Sequence, residues 1–236
     1  MMNAPAAAQA NRSAPLLLSL LETRVLGVLV EKQHTVPDTY PLTLNALVAG
    51  CNQKTSRDPI LDASDADAQA ALDALKTHSL VVESSGSRVM RYAHNVERAL
   101  AIPAQAVALL ATLMLRGPQT AGELRINAER LHRFADISAA EGFLHEMASR
   151  PAGALVVELP RLPGTRETRW AQLLAGPPTI DTSRASAQES READGVSAAE
   201  VAALRQSVAQ LQKDVETLQG TVARLCAERS APATGK

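Results

Sequence analysis

The chain is almost without aromatic residues: one Trp, two Tyr and two Phe make up 2% of its 236 residues. An aromatic-rich β-sandwich is thereby excluded. The 46% hydrophobic content must be met by Leu, Val and Ala, a mixture that favours helices. Cysteine is equally scarce. Cys51 and Cys226 lie far apart, so neither a disulfide framework nor a zinc-ligand spacing can be assembled, and a reducing cytoplasm is the expected compartment. Neither charge sign is in excess. The 24 Lys and Arg against 25 Asp and Glu leave −1, which excludes a uniformly basic, histone-like binder but not a local basic stripe. Long apolar runs are missing too. The longest charge-free stretch, residues 99–115, has 17 residues and contains Pro103, Gln105 and Thr112, too short and too polar to span a bilayer. Residues 16–21 imitate a signal-peptide core, but Glu22 and Arg24 follow at once with no small-residue cleavage site. No membrane association is expected. The chain also lacks a Gly-rich phosphate loop after a strand, a paired-His helix and a nucleophile elbow. His34, His78, His94, His132 and His145 never fall at ligand spacing. The expectation is a non-enzyme with no cofactor and no metal.

What is present is a repeated pattern. Residues 1–15 read as a disordered leader, 16–101 and 102–175 as two apolar-dense domains, 176–195 as a flexible Pro/Ser-rich linker, 196–229 as a separate helix and 230–236 as a tail. The first dense block opens with a helix over 18–32 that aligns Leu21, Val25 and Leu29. A second helix follows Pro41 as a first helical residue and carries Leu44, Leu47 and Val48. A third follows Ser64, with Asp67 completing a short capping box and Ala68, Ala71, Leu72 and Leu75 turned inward. A hairpin over 80–94 turns at Ser84-Ser85-Gly86-Ser87. The second block repeats this order: a helix from Pro103 to Gly117-Pro118, helices capped by Thr120/Glu123 and Ser138/Glu141, and strands over 154–159 and 167–174. Three helices and a hairpin, twice, predict a mostly α fold with small β-hairpins. The expected architecture is two tandem winged helix-turn-helix domains plus a C-terminal coiled-coil helix.

Several motifs are more specific: Arg24-Val25-Leu26-Gly27, Pro37-Asp38-Thr39-Tyr40-Pro41-Leu42, Cys51-Asn52-Gln53-Lys54, Arg57-Asp58-Pro59, Arg116-Gly117-Pro118-Gln119-Thr120 and Phe134-Ala135-Asp136. On these the chain resembles the YceH-type bacterial family over roughly residues 18–174. The resemblance implies a tandem winged-helix fold and supplies no catalytic residue. Ile102 stands where the family pattern resembles a Ser cap, a departure that should cost helix stability only.

A winged helix that reads DNA sets its third helix in the major groove and needs Arg, Lys, Asn or Gln on the exposed face. Here the third helices offer Asp65, Asp67, Gln69, Asp73 and Lys76 in one block and Ala139, Glu141, Gly142, His145 and Glu146 in the other. Both faces are acidic. The candidate phosphate contacts lie elsewhere: Lys54 and Arg57 in the turn after the second helix, Arg88 and Arg91 on the first hairpin, and Arg161, Arg166 and Arg169 on the second. Neither block is basic overall, with 8 basic and 10 acidic residues in 16–101 and 8 and 7 in 102–175. Bland readings stand beside these. Hairpin arginines serve equally as solvated surface or cross-strand partners such as Arg166 with Glu167, and Asn52-Gln53-Lys54 serves equally as a helix exit. Trp170 and Cys51 read as packing residues.

The tail carries the clearest periodicity. Val201, Leu204, Val208, Leu211, Val215, Leu218, Val222 and Leu225 place Val at every a and Leu at every d of a heptad, the pattern of a parallel two-stranded coiled coil. These eight residues are the expected dimer interface, with packing onto the chain's own domains or another protein as the competing use. The expected function is a DNA-associated regulator that meets double-stranded DNA through phosphates. The alternative is a protein-interaction scaffold without direct DNA binding.

Overall fold

In a computed structural model, which describes residues 16–85, 89–161 and 165–178, the first helix begins where a serine is followed three residues on by a glutamate. Ser19 Oγ accepts from Glu22 N at 3.2 Å and Glu22 accepts from Ser19 N at 2.8 Å, a capping box that starts α1 (Leu20–Thr35). Equivalent boxes open α3 (Asp65–Thr77) through Ser64 and Asp67, and α6 (Ala121–Asn127) through Thr120 and Glu123, at the residues the sequence predicts. The remaining elements are α2 (Leu44–Cys51), β1 (Val81–Ser84), β2 (Arg91–His94), α4 (Val96–Leu100), α5 (Ala104–Arg116), α7 (Ile137–Ala148), β3 (Val156–Glu158) and β4 (Trp170–Gln172). The described chain is thus mostly helical with two small antiparallel strand pairs.

Two helix starts differ from expectation. Pro41 is not the first residue of α2, because Leu42 is held extended by an isolated bridge to Tyr92 and Thr43 supplies the cap, accepting from Ala46 N at 3.3 Å. The start of α7 belongs to Asp136, whose carboxylate accepts from Ala139 N at 2.7 Å. Asp is as good a cap as Ser, so Ser138 falls inside the first turn and its box with Glu141 does not form. Ile102 is buried, and Pro103 occupies the cap of α5 without any side-chain bond. The short α4 and a 3-10 turn at Pro37–Thr39 are additions that periodicity cannot show in so few residues.

The two halves share one order. In each, a long helix (α1 or α5) leads to a single extended residue (Leu42 or Gln119), then two helices and a two-stranded ladder. Val81 pairs with His94 and Ser84 with Arg91 in the first ladder; Val156 pairs with Gln172 and Glu158 with Trp170 in the second. Each lone bridge, Leu42 to Tyr92 and Gln119 to Trp170, adds a third extended segment to its ladder.

The core runs through both halves. Residues 23–30 of α1 and 106–115 of α5 are buried on every side, because α1 packs along α5 as well as against α2 and α3. Gly27 makes this approach close: a Cβ there would lie 3.0 Å from Leu115 Cγ and Cδ2. Backbone bonds reinforce the joint, Leu18 N donating to Leu174 O at 2.6 Å and Asp58 N to Leu115 O at 2.8 Å. All described residues belong to one unit of the chain, Met1–Thr179; the other, Ile180–Lys236, lies outside them and with it the whole heptad 201–225. Among the described residues no helix is long and apolar enough to cross a membrane.

Candidate functional site

The turn after α2 carries the most specific motif of the sequence, and the side chains of Asn52, Gln53 and Arg57 are turned inward while Lys54, Thr55 and Ser56 are exposed. Asn52 acts as a two-sided clip, its Nδ2 donating to Ala63 O at 2.9 Å and its Oδ1 accepting from Ala63 N at 2.8 Å. The Arg57 side chain is wholly buried, and each of its five N–H groups is used. Nε donates to Gly50 O, Nη1 to Glu31 Oε1 at 3.1 Å and Ser56 O, and Nη2 to Glu31 Oε2 at 2.6 Å and Gln53 Oε1 at 2.5 Å. Burial alone would raise the Glu31 carboxyl, but the hydrogen bonds and charge of Arg57, helped by Lys32 at 3.3 Å, outweigh it and hold the group below the ordinary Glu range.

Arg24 lies deeper, fully buried inside α1. Its Nη1 donates to Cys51 O at 3.1 Å and its Nη2 to Pro59 O at 2.6 Å, while Nε has no partner among the described residues. Burial, then the charge of Arg57, lowers its pKa, and burial pushes the Cys51 thiol up to about 11. Charged side chains thus tie the turn after α2 back onto α1 within the first half, where sequence reading left helix exit and phosphate contact level. Arg57 is withdrawn from the phosphate-binding set because its guanidinium has no free face.

The other candidates divide. Lys54 is exposed. Arg91 is half-buried and its Nη1 donates to the carbonyls of Thr39 at 3.1 Å and Pro41 at 2.7 Å, tying the hairpin to the entry of α2. Arg88 lies outside the described residues. Arg161 and Arg166 are exposed, Arg169 is half-buried, and none of the three forms an ion pair among the described residues, so the suggested pairing of Arg166 with Glu167 does not form. Arg161 and Arg166 border a cleft of about 240 Å³ between α7 and the second ladder, where Glu141, Glu158 and Glu167 face them. Trp170 is buried at its base, with the His145 ring edge-on at 5.0 Å.

The third helix of each half keeps its acidic face. Asp65, Asp67 and Asp73 of α3 are exposed, and its one cation, Lys76, is held by Asp73 at 2.9 Å and Glu83 at 2.8 Å. On α7, Gly142, His145 and Glu146 are exposed and Glu141 is half-buried. Among the described residues no three His, Cys, Asp or Glu gather where a metal could sit.

Sequence reading missed a second cleft, of about 180 Å³, bordered by Lys32, Gln53, Ser56, Arg116, Asn127 and Arg130. Its residues come from both halves and are separated by up to a hundred positions, so no local pattern announces it.

Comparison with known proteins places the chain. The family described as "Protein of unknown function, DUF480" matches residues 18–165. A UPF0502 protein of Dechloromonas aromatica is 60% identical over 197 residues, covering 83% of this chain and 92% of its own. Another, from Leptothrix cholodnii, is 54% identical over 211 residues, covering 89% of this chain and 95% of its own. The chain therefore belongs to the DUF480/UPF0502 family of bacterial proteins, the family its motifs resembled.

Proposed function

We propose that this protein is a non-enzymatic cytoplasmic scaffold, built of two winged helix-turn-helix modules and joined to a second copy by its C-terminal helix, that holds a protein partner and does not read DNA. The modular reading is supported by the repeated order of helices and ladders and by the bridges Leu42–Tyr92 and Gln119–Trp170, which stand where the first strand of a winged helix joins its wing. The observation that carries the function is the carboxylate face of α3 and α7. A helix entering the major groove brings its exposed residues against phosphates and base edges, and Asp65, Asp67, Asp73 and Glu146 would meet them with repulsion. Burial of Arg57 and the backbone bonds of Arg91 take two of the compensating cations away.

DNA association through the second wing is the competing reading, favoured by the unpaired, exposed Arg161 and Arg166. Fluorescence anisotropy with a random duplex at two salt concentrations separates the two. The scaffold reading expects no micromolar binding at low salt. Micromolar binding that falls steeply with salt, and weakens when Arg161, Arg166 and Arg169 are replaced together, would replace it with the DNA reading.

Self-association rests on the unbroken Val/Leu heptad of residues 201–225. Replacing Leu211 and Leu218 by Asp is expected to halve the mass measured by light scattering. A mass already that of one chain before substitution, or unchanged after it, removes the coiled-coil dimer from the proposal.

A further inference from the structure

The cleft between the two halves has a charge imbalance that neither half shows in its composition. Three cations line it, Lys32, Arg116 and Arg130, and the buried Arg57 acts on Arg116 from outside the lining. Among the described residues the carboxylate that lines it is Glu31, and Asp58 lies outside the lining. Glu31 is spent, with Oε1 accepting from Arg57 and Oε2 from both Arg57 and Lys32, and Asp58 acts on Arg24. Arg116 is half-buried; its Nη2 donates to Ser56 Oγ at 2.8 Å, and it has no carboxylate partner among the described residues. Burial disfavours its charge; the charge of Glu31 favours it and that of Arg57 opposes it, and burial prevails. Arg130 is exposed at the mouth and makes neither hydrogen bond nor ion pair among the described residues. The cleft beside Trp170 is the useful contrast, since three Glu face two Arg there and no ion is needed to balance them.

Partly desolvated cations that share one carboxylate are stabilised by an anion brought from solution, and arginine forks suit the oxygens of phosphate-type groups. Neutral side chains complete such a site. Ser56 and Thr55 border the cleft with hydroxyls, and Gln53 keeps its amide N–H groups because its Oε1 is already taken by Arg57 and Lys32. The concavity of about 180 Å³ admits a small molecule and is walled by α1, the turn after α2, the end of α5 and the turn after α6. We propose that the cleft between the halves is a binding site for a small free polyoxyanion of the phosphate class, gripped by Arg116 and Arg130 from the second half and by Lys32 from the first. Because the ligand touches both halves, it stabilises their joint as well as occupying a pocket.

The test uses the full chain, inorganic pyrophosphate as probe and constant ionic strength, so that general salt effects cancel. Calorimetric titration is expected to give saturable binding, and a hundredfold excess over Kd is expected to raise Tm by about 5 °C. R130Q, which removes an exposed side chain without bonds, and R116Q/R130Q are each expected to lose affinity, the double variant by tenfold or more. R161Q/R166Q, which removes the same charge at the other cleft, is expected to bind as the unaltered chain does. Absence of binding, equal affinity in R116Q/R130Q, or equal loss in R161Q/R166Q overturns the site. A short DNA duplex that binds with the same sensitivity to R116Q/R130Q while pyrophosphate does not would overturn the small-molecule source, assigning the cleft to a nucleic-acid backbone.

Discussion

Replacing Arg57 by Ala is expected to destabilise the protein by about 4 kcal/mol, the scale on which removing one partner of a buried ion pair leaves the other uncompensated. Three things are lost together. Glu31, half-buried, keeps only Lys32 at 3.3 Å; the carbonyls of Gly50 and Ser56 lose a donor; and the volume of the guanidinium is left empty. Glu31→Gln is expected to cost less, about 2 kcal/mol, because an amide oxygen still accepts from Arg57 although the charge partner is gone. The difference is read from urea midpoints at unchanged m-value. The pH dependence adds a second readout. Arg57 holds the folded-state pKa of Glu31 below its ordinary 4.5, so the contribution of the pair is complete above that value and lost as pH falls through the depressed one. The unaltered protein should lose stability across that acid window, and R57A should lose less. A cost under about 1 kcal/mol for R57A would reduce the pair to an ordinary surface bridge.

Gly27→Leu is expected to cost about 3 kcal/mol, while Gly27→Ala should be close to neutral. A Cβ at this position lies 3.0 Å from Leu115 Cγ and Cδ2 and 3.4 Å from Met114 Cβ, so a methyl is admitted if Leu115 gives by a few tenths of an ångström. Alanine also recovers about 1 kcal/mol of helix propensity over glycine, which offsets that strain. Leucine adds three more carbons where Leu115 already sits, and overpacking of a filled core is not relieved by propensity. Adding Leu115→Ala to Gly27→Leu should return part of the loss, giving a favourable coupling in a double-mutant cycle. Full stability of the Gly27→Leu protein would mean that α1 and α5 do not share a core.

The helices were legible wherever a local device marks them. Ser64 with Asp67 and Thr120 with Glu123 start their helices as the spacing predicts, and the second ladder falls inside its expected runs, while β1 runs on through Ser84, a residue the sequence reads as turn, which pairs with Arg91. The capping box at Ser19 and Glu22 is just as local a device, and at α7 two residues of equal capping strength, Asp136 and Ser138, stand two positions apart, so local chemistry alone does not choose between them. What could not be read was the environment of the charges. Periodicity gives α1 one inward face with Leu21, Val25 and Leu29, whereas eight consecutive residues, Arg24 among them, are buried because α5 covers the side that would otherwise meet solvent. Arg57 looked like a surface cation for the same reason: its partner Glu31 is 26 positions away, on a helix whose facing neighbour only the tertiary fold reveals. The candidate interface read from sequence was therefore a list of cations without their partners.

The joint along α1 and α5 bears on the thermodynamics of recognition. Modules strung on a flexible linker must be ordered relative to one another each time a ligand or partner engages both, and that lost freedom subtracts from affinity. Here the mutual orientation of the halves is set by the same buried Leu, Val and Ala that fold each of them. Whatever contacts both halves meets a preorganised template, and the entropy of aligning it belongs to folding and not to binding.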